Sequence, residues 1–281
     1  MKQILVLFVT SFLFAGVTLS QGGSKEITLE DIFKNRIFSP ERIPGIKSME
    51  DGEQYLVTEN DSINMYAYKT GKMTGTLVTA NELVPEKDTV PIQFSSYVLS
   101  PDENMVLFAT ETERIYRRSS KSNFFLFSVQ SKTLVPLSEN GKQQHATFSP
   151  NGKHIAFARG NNMFLYDIVA GTEKQLTNDG EINKIIYGSA DWVYEEEFGF
   201  SKAFFWSPDS KKIAFYKFDE TNVKDYTMMM WGELYPEPFT FKYPKAGENN
   251  SSIQILVYHL DKESTLYMEI GEDTDIYIPR V

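Results

Sequence analysis

Short apolar runs separated by turn-forming residues repeat along most of this chain of 281 residues. The segment Phe148-Ser-Pro-Asn-Gly-Lys-His-Ile-Ala-Phe157 places a Pro-Asn-Gly turn between two apolar runs, which predicts a β-hairpin. Related segments surround Ser100-Pro-Asp102 and Ser207-Pro-Asp209, and a degenerate one surrounds Asp51-Gly52. Aligned on the same position, the copies begin at residues 49, 100, 149 and 207, so successive copies are 51, 49 and 58 residues apart.

A second hairpin pattern, with a short aromatic strand, a turn and another strand, follows the first three copies at 64–72, 124–132 and 163–172. Two hairpins per period of about 50 residues give four strands, which is the content of one β-propeller blade. We therefore predict an all-β fold, a β-propeller with four-stranded blades, of which about four lie within 46–281. The alternative is an ordinary antiparallel sandwich with chance Ser-Pro turns.

The end of the sequence has the pattern of an unfinished blade. Asp275-Ile-Tyr-Ile-Pro-Arg-Val281 resembles a strand that enters a fifth turn. Because a propeller closes its sheet edges by circular repetition, an array that ends in half a blade exposes an edge strand. We therefore expect this sequence to be the N-terminal piece of something longer.

The N-terminal residues follow other patterns. Lys2, the apolar run 4–17 and the small residue Ser20 predict a signal peptide over 1–20, with an uncleaved anchor as the alternative. Within a lead segment at 21–45, Thr28-Leu-Glu-Asp31 has the pattern of an N-cap, and Leu29, Ile32, Phe33 and Ile37 recur at helical spacing. One short amphipathic helix is predicted at about 28–37.

Composition narrows the function classes. The net charge of −10 argues against a nucleic-acid partner, and the absence of Cys excludes disulfides, a thiol nucleophile and thiolate zinc sites. Exported proteins of this size usually contain disulfides, so the absence of Cys indicates a bacterial protein in the periplasm or outside the cell. The three His lack the spacing of a helical metal pair, so we expect no metal and no cofactor. No Gly-x-Ser-x-Gly segment is present, and no catalytic machinery is visible in the sequence.

The segment Asp191-Trp-Val-Tyr-Glu-Glu-Glu-Phe198 interrupts the repeat where the spacing lengthens to 58. Asp191 can cap a short Glu-rich helix inserted between blades. One interpretation is a solvated acidic helix. The other is a carboxylate pair that binds a cationic group of a ligand, because two adjacent acids repel each other when empty and gain when an ammonium arrives.

This segment, together with Tyr243-Pro-Lys-Ala-Gly247, resembles the N-terminal propeller domain of the dipeptidyl peptidase IV family of prolyl-oligopeptidase-type serine peptidases. The resemblance implies an eight-bladed propeller and an exported serine exopeptidase that removes Xaa-Pro or Xaa-Ala dipeptides from peptide N-termini. It assigns the free amine of the substrate to Glu196 and Glu197, which leaves Glu195 as a comparison residue. An Arg that holds the dipeptide carbonyl corresponds to Arg117, with Arg118 as an adjacent rival.

In that family the catalytic Ser, Asp and His lie in a C-terminal α/β-hydrolase domain, which these 281 residues lack, so the chain alone is expected to be inactive. The expected partners are a peptide with a free N-terminus and the missing hydrolase domain. The resemblance also implies that an arm at about 226–245 pairs two subunits. The competing hypothesis is a non-catalytic periplasmic propeller, because the Ser-Pro-Asn-Gly-Lys repeats also resemble those of TolB-like scaffolds or binding modules.

Overall fold

A computed structural model describes residues 26–40 and 45–281 of the chain. It divides the chain into one unit at 1–44 and another at 45–281. Among the described residues, no helix has the length and apolar character needed to cross a membrane. The predicted signal peptide at 1–20 lies outside the described residues, so that prediction stays a prediction.

The first three blades are four-stranded antiparallel sheets whose strands follow one another in sequence order. The strands of the first sheet are β1 (Lys47–Ser48), β2 (Gln54–Glu59), β3 (Ser62–Ala67) and β4 (Met73–Val78). Those of the second are β5 (Phe94–Leu99), β6 (Met105–Arg114), β7 (Ser120–Ser128) and β8 (Leu134–Pro136). Those of the third are β9 (Gln144–Phe148), β10 (His154–Arg159), β11 (Asn162–Asp167) and β12 (Thr172–Gln175). A short 3₁₀ turn, Ala80–Glu82, follows β4.

The fourth sheet carries two insertions. Its strands are β13 (Ile185–Tyr187), β14 (Phe204–Trp206), β15 (Lys212–Asp219), β18 (Ser252–His259) and β19 (Ser264–Tyr267). Between β15 and β18, the strands β16 (Asp225–Met230) and β17 (Glu237–Lys242) form a separate hairpin. Both β13 and β14 pair with β15, Tyr187 opposite Lys217 and Phe204 opposite Phe215. The two strands are thus successive parts of one blade edge, and the residues between them form an excursion that lengthens the repeat.

One side-chain device builds the repeated turn. The Ser100 hydroxyl donates to Asp102 at 2.6 Å and accepts the backbone N–H of Met105 at 2.9 Å. Ser149 and Ser207 make the equivalent pair of bonds with the residues two and five positions later. Because each turn satisfies its own polar groups within six residues, the same short motif forms the same hairpin in three blades.

Apolar clusters lie between successive sheets. Along β6, Val106 and Phe108 pack with Leu56 of the first sheet, whereas Leu107 packs with Ile155 of the third. A further cluster joins the third sheet to Phe215 of the fourth. Neighbouring residues of a strand point to opposite faces, so a strand covered on both sides is apolar throughout, as the Val-Leu-Phe run shows. The sandwich alternative is wrong, because sheets cover both faces of the second and third blades.

Two local predictions differ from the structure. Instead of a helix at 28–37, a π-helix of five residues, Glu30–Lys34, is present, although the Thr28 hydroxyl does accept the N–H of Asp31 at 3.1 Å. A short helix needs its apolar face packed against other residues to extend further. Phe33, on that face, is 74% exposed, so this packing is missing among the described residues. The segment 275–281 forms no strand. It is held instead by bonds to tyrosine side chains that are described below.

Candidate functional site

The first insertion of the fourth blade carries a helix of five residues, α1 (Trp192–Glu196), as the Asp191 pattern predicts. The Asp191 carboxylate is buried and accepts the backbone N–H of Tyr194 at 2.9 Å. The Ser251 hydroxyl donates to its second oxygen at 2.5 Å, which ties the cap to the segment that precedes β18. Burial raises the pKa of Asp191 above its usual range, against the opposing effect of the Ser251 hydrogen bond. The cap therefore joins the two insertions of the blade.

Glu195, the first acid of the triplet, points into the protein. It is fully buried, and its Oε1 accepts the backbone N–H of Arg118 at 2.6 Å and that of Ser119 at 2.8 Å. Its Oε2 is buried without a hydrogen-bond partner among the described residues. The solvated-helix interpretation is wrong for this residue. Glu195 is also unsuitable as an inert comparison, because it connects the helix to the second blade.

Glu196 and Arg117 come together from different blades. The Arg117 Nε lies 3.2 Å from the Glu196 Oε2, and the Glu196 side chain is 15% exposed whereas that of Arg117 is 74% exposed. Arg117 belongs to the loop that connects β6 to β7, and Glu196 ends α1 of the fourth blade. Two of the three residues that the sequence selects are therefore direct neighbours at the surface.

The third selected residue, Glu197, and the rival arginine, Arg118, differ in their surroundings. Glu197 follows α1 as an exposed residue, and its backbone N–H bonds to the carbonyl of Val193 at 2.8 Å. Arg118 gives its backbone N–H to Glu195, and its guanidinium lies beside Gly199. Of the two rival arginines, Arg117 is the one whose side chain contacts Glu196.

Behind this surface lies a cleft of ≈ 450 Å³ whose walls come from the second, third and fourth blades. Tyr116 and Glu220 both line it. Burial raises the pKa of Glu220 to about 7, and the negative charge of Asp191 adds to the effect. Burial also raises the pKa of Tyr116 to about 12, with further contributions from the carboxylates of Glu220, Glu195 and Asp191. A group of buried acids thus surrounds the residue that precedes Arg117.

An aromatic cluster connects the site to the β16–β17 hairpin. The ring of Phe241 lies 6.3 Å from that of Trp192 and 6.0 Å from that of Tyr116. Tyr243 makes an edge contact with Trp192 at 4.6 Å between ring centroids. The base of the hairpin therefore touches both the acidic helix and the arginine loop. At the outer end of the hairpin, Trp231 is 75% exposed.

The last residues of the chain also contact α1. The backbone N–H of Ile278 donates to the Tyr194 hydroxyl at 2.7 Å, and the Tyr216 hydroxyl donates to the Ile278 carbonyl at 2.9 Å. The ring of Tyr277 lies 5.2 Å from that of Phe198. The expected strand at 275–281 is replaced by this side-chain-mediated contact.

Sequence reasoning missed the supporting residues Glu195, Tyr194 and Glu220. Consecutive residues of a helix point about 100° apart, so one of three adjacent acids can face inward, but no local signal says which. The buried position of Glu220 has no sequence signal either, since Asp-Glu-Thr after a strand is also typical of an exposed loop.

Comparison with known proteins agrees with this architecture. Residues 100–281 match the family described as the dipeptidyl peptidase IV (DPP IV) N-terminal region. The chain is 30% identical over 272 residues to a probable dipeptidyl peptidase 4 of Emericella nidulans, which covers 92% of this chain and 34% of the relative. It is 32% identical over 273 residues to the dipeptidyl peptidase 4 of Trichophyton tonsurans, with 92% and 34% covered.

Among solved structures, the crystal structure of Porphyromonas gingivalis dipeptidyl peptidase 4 matches with a TM-score of 0.83 and 38% identity, covering 92% of this chain and 37% of that one. The chain thus spans about a third of the length of the curated relatives it matches, 34% in both cases. With a family match over residues 100–281 and a fold that superposes on this solved structure, this chain belongs to the dipeptidyl peptidase IV family and contains its N-terminal region.

Proposed function

We propose that this chain is the substrate-gating propeller of a secreted serine dipeptidyl peptidase that releases Xaa-Pro and Xaa-Ala dipeptides from peptide N-termini. In this proposal Glu196 and Glu197 bind the free amine of the substrate, and Arg117 holds the carbonyl of the dipeptide. The observation that carries it is the contact, at 3.2 Å, between Arg117 and Glu196, the latter on an insertion that interrupts the blade repeat.

The charges of this surface suit an ammonium ion. Arg117 balances one of the two carboxylates, which leaves one negative charge for the positive charge of an α-amine. Both acids also lie at the C-terminal end of α1, where the helix dipole favours a cation. An N-acetylated peptide has no such charge and would leave the carboxylates without their partner.

An anchored amine explains why two residues are removed. If the ammonium is fixed at Glu196 and Glu197, the chain length between the amine and the scissile bond determines which peptide bond reaches the nucleophile. We propose that the nucleophile belongs to an α/β-hydrolase domain outside these 281 residues, since the sequence contains no Gly-x-Ser-x-Gly segment.

Export and pairing belong to the same proposal. The apolar run behind Lys2 supports export to the bacterial periplasm or the exterior. The β16–β17 hairpin exposes Met228, Met229 and Met230, each about half accessible, together with Trp231. Such an apolar arm at 226–245 suits pairing with a second copy of the chain.

The test uses a chimaera in which residues 45–281 replace the matching segment of the Porphyromonas gingivalis enzyme. Glu196→Gln and Glu197→Gln are compared with Glu139→Gln, a control whose side chain is 70% exposed on the second blade. Losing a hydrogen bond to a charged group costs about 1.5–3 kcal/mol, so kcat/KM on a free Gly-Pro peptide should fall about tenfold to a hundredfold in the site variants.

Activity on the N-acetylated peptide should be low in every variant and should not respond to the two site substitutions. The proposal is refuted if Glu196→Gln, Glu197→Gln and the control Glu139→Gln all keep the kcat/KM of the parent on the free peptide.

A further inference from the structure

The loop that carries Arg117 is held by hydrogen bonds within itself and by hydrogen bonds to another blade. The β6 strand ends at Arg114 and β7 begins at Ser120, so 115–119 lies beyond the two strands. Within the loop, the N–H of Ile115 bonds to the Ser119 carbonyl at 3.0 Å and the N–H of Tyr116 bonds to the Ser119 hydroxyl at 3.2 Å. These bonds leave the N–H groups of Arg118 and Ser119 for another acceptor.

One oxygen of Glu195 accepts both of those N–H groups, at 2.6 and 2.8 Å, from positions 77 and 76 residues away in the sequence. A carboxylate that accepts backbone N–H groups in a buried setting makes hydrogen bonds about twice as strong as neutral ones. Ser119 is itself buried, so its N–H has no ready replacement for this acceptor in water.

Two neighbouring acids of α1 thus bind the same loop, one through its backbone and the other through a side chain. Glu195 binds the backbone immediately after Arg117, and Glu196 binds the Arg117 side chain. The backbone contact restricts where the base of the arginine side chain can lie, and the exposed guanidinium alone could not do so, because long exposed side chains keep most of their rotamer freedom.

We propose that Glu195 is a positioning residue, which fixes the 115–119 loop of the second blade against α1 so that the Arg117 guanidinium is aligned with Glu196. Glu195 is fully buried and acts through Arg117 rather than on a substrate. This inference rests on the proposed amine-binding function, since it explains how that site is held in place.

The first measurement is backbone hydrogen exchange in the full 281-residue chain, parent against Glu195→Ala, Glu195→Gln and the control Glu139→Ala. In Glu195→Ala the Arg118 and Ser119 amides should exchange at least about tenfold faster, because their acceptor is gone. In β7, the amides of 123–127 should keep the parent rates. Glu195→Gln, which retains one acceptor oxygen, should give intermediate protection.

The hydrogen-exchange result has two refuting outcomes. Unchanged exchange at Arg118 and Ser119 would overturn the proposal. Equal acceleration along the whole of β7 would also overturn it, because the residue would then only contribute to the stability of the blade. The exchange at these amides does not depend on peptidase activity, so this arm remains informative whatever the function.

The second measurement is a double-mutant cycle in the chimaera, with Glu195→Gln, Arg117→Ala and the pair. If Glu195 acts through Arg117, the double variant should lose no more kcat/KM on a free Gly-Pro peptide than Arg117→Ala alone. Multiplying losses would contradict the positioning role while leaving amine binding intact. A failure of amine binding itself would be recognised separately, by an unaffected Glu196→Gln variant.

Discussion

The buried carboxyl of Glu220 should make the stability of this propeller fall as the pH rises. Glu220 is 5% exposed, and no hydrogen bond or ion pair to its carboxyl is found in the part of the chain that the structure describes. Burial is the main cause that raises its pKa from 4.5 to about 7, with Asp191, Asp219 and Asp225 adding to the shift and Lys242 opposing it.

The sign follows from proton linkage. Because the folded state holds the proton more tightly than the unfolded state, stability is highest below the unfolded pKa of 4.5 and decreases until the pH passes the folded value of about 7. At about 1.36 kcal/mol per pKa unit, ionisation of Glu220 costs about 3 kcal/mol at pH 8. Replacement by Gln keeps the shape of the side chain and removes this cost.

Urea unfolding, followed by tryptophan fluorescence from pH 4 to pH 8, measures the effect in parent and Glu220→Gln. Between pH 4 and pH 8, the unfolding free energy of Glu220→Gln should rise by about 3 kcal/mol relative to that of the parent. This change corresponds to about 6–12 °C in Tm. Glu139→Gln, at an exposed carboxylate, controls for the loss of one charge. A difference between parent and Glu220→Gln that stays constant across this pH range would refute the reasoning.

Two further predictions concern the helix and the catalytic machinery. Tyr194→Phe removes the hydroxyl that accepts the Ile278 N–H at 2.7 Å, and urea unfolding should show a loss of about 1–3 kcal/mol, since the unpaired N–H is part-buried; an unchanged midpoint would contradict this. The purified 281-residue chain should not cleave a Gly-Pro chromogenic substrate above background, because its sequence has no recognisable nucleophile motif; turnover that persists through repurification would disprove this.

The blade repeat could be predicted from the sequence because it is local. Ser100, Ser149 and Ser207 each complete their hydrogen bonds within six residues, so the turn forms wherever the motif occurs. The cap of α1 is local in the same way, from Asp191 to Tyr194.

The proposed amine site was accessible to sequence reasoning in part. The acid triplet and the arginine pair stand out as motifs, and the resemblance to a known family selects Glu196, Glu197 and Arg117 among them. The predicted N-terminal helix at 28–37 shows the limit of periodicity, because helical spacing alone does not supply a surface on which the apolar face can pack.

The tertiary structure decided which acid of the triplet is buried. Glu195 faces the backbone of Arg118, 77 residues earlier in the chain, and only the docking of α1, an insertion of the fourth blade, against the β6–β7 loop of the second blade brings the two together. The same docking places Glu220 and Tyr116 in one cleft and pairs Arg117, rather than Arg118, with Glu196. Motifs within a few residues fold by their own hydrogen bonds, whereas burial and charge pairing depend on partners that the chain supplies from distant blades.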